Sequence, residues 1–131
     1  MTRADVQRWI DAYERTWVSK DAAAAAALFA HEGVYRSHPF RDAHVGRDAI
    51  RAYWEGATAT QSNLNLRFGR PIVDESHVAV EWWAEGEGSE GDFTLPGCLI
   101  LRFGPEGLCV ELREYWHVES KRVPPPEGWG S

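Results

Sequence analysis

Val6, Trp9, Ile10, Tyr13 and Trp17 recur at helical spacing while Asp5, Arg8, Asp11, Glu14 and Arg15 fill the other side, which predicts an amphipathic helix over residues 4–19. Asp21 is placed to cap a second, shorter helix, the alanine run from Ala22 to Ala27 that closes with Leu28 and Phe29 and is ended by Gly33. Val34 to His38 reads as a short strand stopped by Pro39, and Arg47 to Gly56 as a third helix with Ile50, Tyr53, Trp54 and Ala57 turned inward. Strand-like segments follow over 64–73, 78–87, 94–103 and 108–119, divided by Asp74-Glu75-Ser76, by the Gly-rich acidic stretch 86–91 and by the turn Gly104-Pro105-Glu106-Gly107. Helices first and long strands last predict an α+β fold: three N-terminal helices packed in a curved, mostly antiparallel sheet that wraps into a cone with an open mouth. Residues 1–121 are expected to form one domain and residues 122–131 a Pro/Gly-rich tail, since Pro124-Pro125-Pro126 and Gly128-Trp129-Gly130 suit neither helix nor central strand.

One position in the last segment breaks its own pattern. Val110, Leu112, Trp116 and Val118 alternate onto one face, and Glu114 shares that face with them. An ionised carboxylate buried without a partner costs several kcal/mol, so such a residue is paired, held protonated, or set in a cavity where its raised pKa is used. Glu114 is therefore the first candidate for chemistry; the competing reading is a structural lock onto a neighbouring donor.

Aromatics are plentiful for the interior of such a cone: Tyr13 and Trp17 from the first helix, Phe29, Tyr53 and Trp54 from the other two, and Tyr35, Trp82 and Trp116 from strands. With 131 residues, 44% of them hydrophobic, the chain has room for one core and no second domain. The net charge of -6 and the scatter of the 14 Lys and Arg residues speak against a nucleic-acid partner or an anionic membrane surface. No apolar run spans a bilayer, and Met1 leads into a charged amphipathic helix, so a cytoplasmic protein is expected. Cys98 and Cys109 flank the Gly104–Gly107 turn at different distances, leaving them roughly 13–17 Å apart at strand rise, too far for a disulfide. His31, His44, His77 and His117 fall on loops or outward positions without metal-ligand spacing, so neither a metal nor another cofactor is expected. His38 points outward by alternation with Tyr35 and Ser37, and faces the interior only if Pro39 bends the strand end.

The order of elements, together with Val34-Tyr35-Arg36-Ser37-His38-Pro39, Val45-Gly46-Arg47-Asp48-Ala49-Ile50 and Leu112-Arg113-Glu114-Tyr115-Trp116, resembles the nuclear transport factor 2-like superfamily in its SnoaL-like branch. The likeness covers nearly the whole chain, and its motifs recur among members with different functions. That superfamily includes ketosteroid isomerases, polyketide cyclases, limonene-1,2-epoxide hydrolases, dehydratases and members without catalysis. Matched to the epoxide hydrolases, Glu114 takes the position of a water-holding carboxylate, with Tyr35 and Ser37 at its Tyr and Asn partners, while the Arg-x-Asp pair of those enzymes falls on Trp82 and Ala84. Matched to the ketosteroid isomerases, Tyr13 takes the place of the tyrosine that donates to the substrate oxygen. Their general base falls near Ser37 or His38, and their second oxyanion donor has no counterpart near Gly97 or Cys98.

The resemblance and the residue pattern together imply a homodimer with a small, largely hydrophobic molecule in an aromatic cavity. Trp17, His38, Trp54, Trp82 and Trp116 are the expected contacts. Two classes stay open. One is a cofactor-independent acid/base enzyme with Glu114 as base, Tyr35 and Ser37 orienting water or substrate, and Tyr13 stabilising negative charge. The other is a non-catalytic binding protein in which Glu114 is locked by Tyr35 or by an inward His38. Arg113 and Tyr115, beside Cys98 and Ile100, are the expected dimer face, and Trp129 is expected to dock over the cone mouth or on a partner subunit.

Overall fold

A computed structural model describes all 131 residues. The first helix, α1, runs Arg3–Ser19 and opens with a capping box between Thr2 and Asp5. It buries the predicted stripe Val6, Trp9, Ile10, Tyr13 and Trp17. Asp21 caps α2 (Ala22–Ala26) by accepting from Ala24 N at 3.0 Å. The chain then enters the sheet earlier than its pattern predicts. The strand β1 spans Phe29–Arg36, so Phe29 is a strand residue, and Gly33 lies inside the strand instead of ending a helix. The register shifts between Phe29 and Val34, and a Cβ on Gly33 would sit 3.0 Å from Ala30 O. The glycine thus serves a close backbone approach at an irregularity.

A two-residue strand β2 (His44–Val45), not anticipated from the sequence, pairs with β1 just before α3 (Arg47–Thr58). The predicted strand over 64–73 is two strands, β3 (Ser62–Phe68) and β4 (Ile72–Asp74), broken at Gly69-Arg70-Pro71, where proline has no N–H for the ladder. The long hairpin of β5 (His77–Gly88) and β6 (Gly91–Phe103) stays paired out to Gly88 and Gly91, and β7 (Cys109–Trp116) completes the sheet. The strand order is β2-β1-β7-β6-β5-β3, with β4 also on β5; only β1 and β7 run parallel. Its inner face closes on the helices with Val78, Val80, Leu99, Leu101, Phe103 and Leu112 in the core. Between the β6 and β7 pairings Phe103–Cys109 and Arg102–Glu111 the ladder is irregular. Cys109 is fully buried there, while at the far end Val118, expected on the inner face, lies beyond the strand and is exposed.

Cys98 and Cys109 are both free, as their spacing requires, and burial pushes the Cys109 thiol up to about 12, so it is no nucleophile. No helix is long and apolar enough to cross a membrane.

The tail docks, but not at the mouth of the cone. Thr94 Oγ1 donates to Lys121 O at 2.6 Å and accepts from Val123 N at 2.9 Å, and Trp83 Nε1 donates to Val123 O at 2.9 Å. Trp129 meets Trp83 edge-on at 5.9 Å with the Arg67 guanidinium 5.3 Å from its ring centroid, and Gly130 O accepts from Arg70 N at 2.7 Å. Trp83 alternates with the inward Trp82, so this is the outer face of the sheet. Deleting residues 122–131 is expected to lower stability by about 1.5–3 kcal/mol, the worth of one large apolar side chain. Melting temperature should fall by several degrees with ligand affinity unchanged; differential scanning calorimetry and a binding titration check the two arms.

Candidate functional site

The carboxyl of Glu114 stands on the inner face of β7, one inward position beyond Leu112, and is 6% exposed. Tyr35, on the neighbouring strand and opposite Leu112, donates its hydroxyl to Glu114 Oε1 at 2.8 Å. Tyr35 spends its only hydrogen on that bond, so the 3.4 Å contact between the Tyr13 and Tyr35 hydroxyls has Tyr13 as donor. The Tyr53 hydroxyl also faces the carboxyl. Burial raises the Glu114 pKa from its ordinary 4.5 to about 8, and the hydroxyls of Tyr35 and then Tyr53 hold it down against a larger rise. No cationic side chain pairs with it. The phenols respond in kind: burial, and then the nearby carboxylate, push Tyr13 and Tyr35 well above 10 and Tyr53 to about 12, so all three remain proton donors.

Glu114 opens onto a cavity of about 110 Å³. Trp17, Trp54, Trp82, Trp116 and Tyr53 supply its aromatic wall, Ala57 and Leu95 its remaining apolar part, and Gln61 its other polar group. This is roughly four water volumes, well below the few hundred Å³ common for ligand sites, so it admits a very small molecule or the end of a larger one. Wider depressions of about 390 to 510 Å³ lie elsewhere on the surface, but none is lined by a buried titratable side chain. No group of three or more His, Cys, Asp or Glu side chains is arranged to hold a metal ion.

The cavity wall has a legible cause. Trp82 lies across Gly97, its partner on β6; a Cβ there would fall 2.2 Å from Trp82 Cε2. Trp116 pairs with the same glycine from the other side, so one residue without a side chain makes room for an indole inside the cone. Trp17 packs edge-on against Trp54 at 5.3 Å and Trp82 at 5.1 Å, and its Nε1 donates to Gln61 Oε1 at 3.0 Å.

Four of the five expected contacts, Trp17, Trp54, Trp82 and Trp116, line the cavity, and His38 does not. Its ring is half-buried, 5.9 Å from Trp116 and 5.6 Å from Phe40, and its Nδ1 accepts from Phe40 N at 3.1 Å. The Pro39 bend therefore folds His38 against the rim, neither outward as alternation predicts nor into the cavity. Ser37 is buried just past the end of β1, where its carbonyl accepts from Trp116 Nε1 at 2.9 Å and its hydroxyl faces Tyr53, not the cavity. Tyr13 is packed away from the cavity, stacked on Trp9 at 5.0 Å and edge-on to Trp54 at 5.6 Å. Tyr35 likewise supports Glu114 from behind. The polar residues that the sequence left out of the site are Tyr53, which helical spacing placed inside without revealing its hydroxyl's target, and Gln61, which follows α3 in a loop with no pattern to mark it.

No curated protein matches this sequence. Solved structures of similar fold include RV0760c from Mycobacterium tuberculosis, with a TM-score of 0.78 at 16% identity, covering 91% of this chain and 98% of that one. The epoxide hydrolase/cyclase-like enzyme SalBIII, with a role in pyran ring formation in the polyether salinomycin, has a TM-score of 0.76 at 18% identity, over 87% of this chain and 94% of its own. A hypothetical protein of ketosteroid isomerase-like fold from Catenulispora acidiphila DSM 44928, solved with trimethylamine, has a TM-score of 0.73 at 22% identity, over 82% and 83%. These likenesses establish the cone fold. The SnoaL-like domain family matches residues 6–112, most of the cone including β1 and the start of β7, and the chain belongs to that SnoaL-like branch of the nuclear transport factor 2-like superfamily.

Proposed function

We propose that this protein is a cofactor-independent acid/base enzyme that acts on a small, largely hydrophobic molecule in the aromatic cavity, with Glu114 as the proton carrier. The observation that carries the reading is the placement of the carboxyl: buried, without a cationic partner, at the wall of a cavity, with one oxygen held by Tyr35. A structural lock needs the hydrogen bond but not the cavity. Desolvation tunes the group to take and return a proton near neutral pH, where a general base works best. Tyr35 and Tyr53 position the carboxyl, and Ser37 steadies Tyr53 and Trp116. Tyr13 acts through Tyr35.

A second reading is a binding protein without turnover. The observation that favours it is the cavity itself, whose small aromatic walls around one carboxyl suit a methylated ammonium ion, with Glu114 as counter-charge. The trimethylamine held by the Catenulispora protein is a ligand of that kind.

Incubating the protein in D2O with small ketones, lactones and epoxides and following each by proton NMR tests the two. Exchange of an α-proton or ring opening, absent with Glu114→Gln, supports the enzyme. Trimethylammonium binding with no reaction of any compound supports the binder.

We also infer a homodimer formed through the outer face of β6 and β7, where Cys98 pairs with Tyr115 and Ile100 with Arg113. Tyr115 is 49% exposed there, and the tail covers the β3 and β5 side of the sheet, leaving this part open. Light scattering at micromolar concentration is expected to give a dimer, and Tyr115→Glu a monomer.

A further inference from the structure

The cavity does not end at its aromatic wall. Ala57, Gln61 and Leu95 line it and also line the depression of about 390 Å³ beside it, so the two spaces meet at these three residues. Strand register makes that depression the outward continuation of the cone. Thr94 pairs with Glu119 through two backbone hydrogen bonds of 2.9 Å, in step with the pairing of Gly97 and Trp116, which sets Val118 opposite Leu95 on the side that Trp116 faces. On β6 the inward positions Gly97, Leu95 and Phe93 lead from the cavity to the rim. A Cβ on Gly86 would fall 2.8 Å from Phe93 Cζ, so the Phe93 ring lies across its β5 partner as Trp82 lies across Gly97. Phe93, Leu95 and the exposed Val118 thus form an apolar strip that runs outward from the aromatic wall.

Gln61 stands at the junction. It follows α3, with its N–H bonded to Thr58 O at 3.1 Å, and its side-chain Oε1 accepts from Trp17 Nε1 at 3.0 Å. An indole N–H only donates, so this bond fixes which end of the amide is oxygen, and the two hydrogens of Nε2 have no partner in the protein. The carboxylates of Glu90, Asp92 and Glu119 lie on the outer depression, where Arg122 stands 3.9 Å from Asp92.

We infer that Gln61 is the specificity-determining residue of a two-chambered site: it divides an inner space for a small apolar head from an outer space for an uncharged body, and donates its amide N–H to an oxygen in the link between them. The molecule is therefore a neutral ether or ester of a small apolar group. This rests on the reading of the aromatic cavity as the place where the head is held, whether or not turnover follows. An inner space of about 110 Å³ is small for a whole ligand, and the outer one supplies the missing volume. The bond to Trp17 holds Gln61 across the junction, so a thin link passes where a second ring does not. An amide whose oxygen is already satisfied offers only donors, and a methylene in place of the link oxygen would leave them unmet. The carboxylates at the rim oppose an anionic body.

Calorimetric titration with cyclopentyl methyl ether, 6-(cyclopentyloxy)hexan-1-ol, 7-cyclopentylheptan-1-ol and 6-(cyclopentyloxy)hexanoic acid tests the assignment. The long ether alcohol is expected to bind at least about tenfold tighter than the methyl ether, from the added apolar burial. It should bind about fivefold tighter than its methylene counterpart, the worth of one hydrogen bond, and several-fold tighter than the acid. Intermolecular NMR contacts should place its ring against Trp82 and Trp116 and its chain against Phe93 and Val118. Gln61→Met, which keeps the length and removes the donor, should erase the preference for ether over methylene while the long probe keeps its advantage. Gln61→Ala, which removes the divider, should take cyclooctyl methyl ether as readily as cyclopentyl methyl ether, where the wild type favours the smaller ring. Equal binding of long and short ethers, a chain found away from Phe93 and Val118, an ether preference that survives Gln61→Met, a ring preference unchanged in Gln61→Ala, or an acid bound as tightly as the alcohol would each overturn the inference. A methyl ether that binds with its ring in the cavity, without any gain from the chain, removes the outer chamber and spares the cavity; no binding of any probe removes both.

Discussion

Glu114→Gln is expected to reduce turnover of any substrate of this protein by about 10²- to 10⁴-fold, the usual contribution of a positioned general base, while the fold persists. Glutamine keeps the volume of the side chain and an oxygen for the Tyr35 hydroxyl to meet, so the hydrogen bond of 2.8 Å has a successor; only the proton-accepting carboxylate is gone. Single-turnover rates checked beside near-ultraviolet circular dichroism of the cavity tryptophans separate lost chemistry from lost structure. A variant that keeps its rate removes Glu114 from the mechanism. A variant that unfolds at neutral pH makes Glu114 a lock. Tyr35→Phe carries the same logic from the other side: it takes away the larger of the two hydroxyl contributions that hold the Glu114 pKa down, so the rise of kcat/KM with pH should move above its wild-type midpoint of about 8.

How far the sequence reaches is plain from particular residues. Alternation along β7 located Glu114 because the pairing of Leu99 with Glu114 and of Leu101 with Leu112 keeps that strand regular where it matters, and alternation fails only at the ends, at the irregularity near Cys109 and beyond Trp116. The same periodicity marked all four cavity tryptophans. It did not reveal the break at Gly69-Arg70-Pro71 or the irregular register of β1, since both answer to contacts made by distant chain: Gly69 packs against Gly130, and Gly33 O accepts from Gly46 N at 2.8 Å. Roles carried over from relatives fared differently from positions. Tyr13 and Tyr35 lie on the inside as expected, yet Trp54, Trp82 and Tyr53 stand at the cavity wall while Tyr13 and Tyr35 lie behind it. Gly97, which has no side chain of its own to donate, is the position that admits the indole of Trp82.

The stability of the wild-type protein is expected to fall as pH rises from 5 to 9, by on the order of 4 kcal/mol more than that of Glu114→Gln. In the unfolded chain the Glu114 carboxyl titrates near 4.5, and in the native state near 8. Between those values the native state holds a proton that the unfolded state has released, so ν_N exceeds ν_U and the slope of unfolding free energy with pH is negative. The penalty is absent below about 4.5, grows through neutral pH and levels off above about 8, the reverse of a carboxylate held low by an ion pair. Urea titrations of both proteins at pH 5, 7 and 9 read the difference directly, and the other titrating groups, common to both, cancel. Curves that stay parallel would mean that the buried carboxyl is not destabilised in its charged form. Curves that diverge would mean that the fold tolerates, at working pH, the desolvated carboxylate that makes Glu114 a base, a cost that a structural lock built from Gln would avoid.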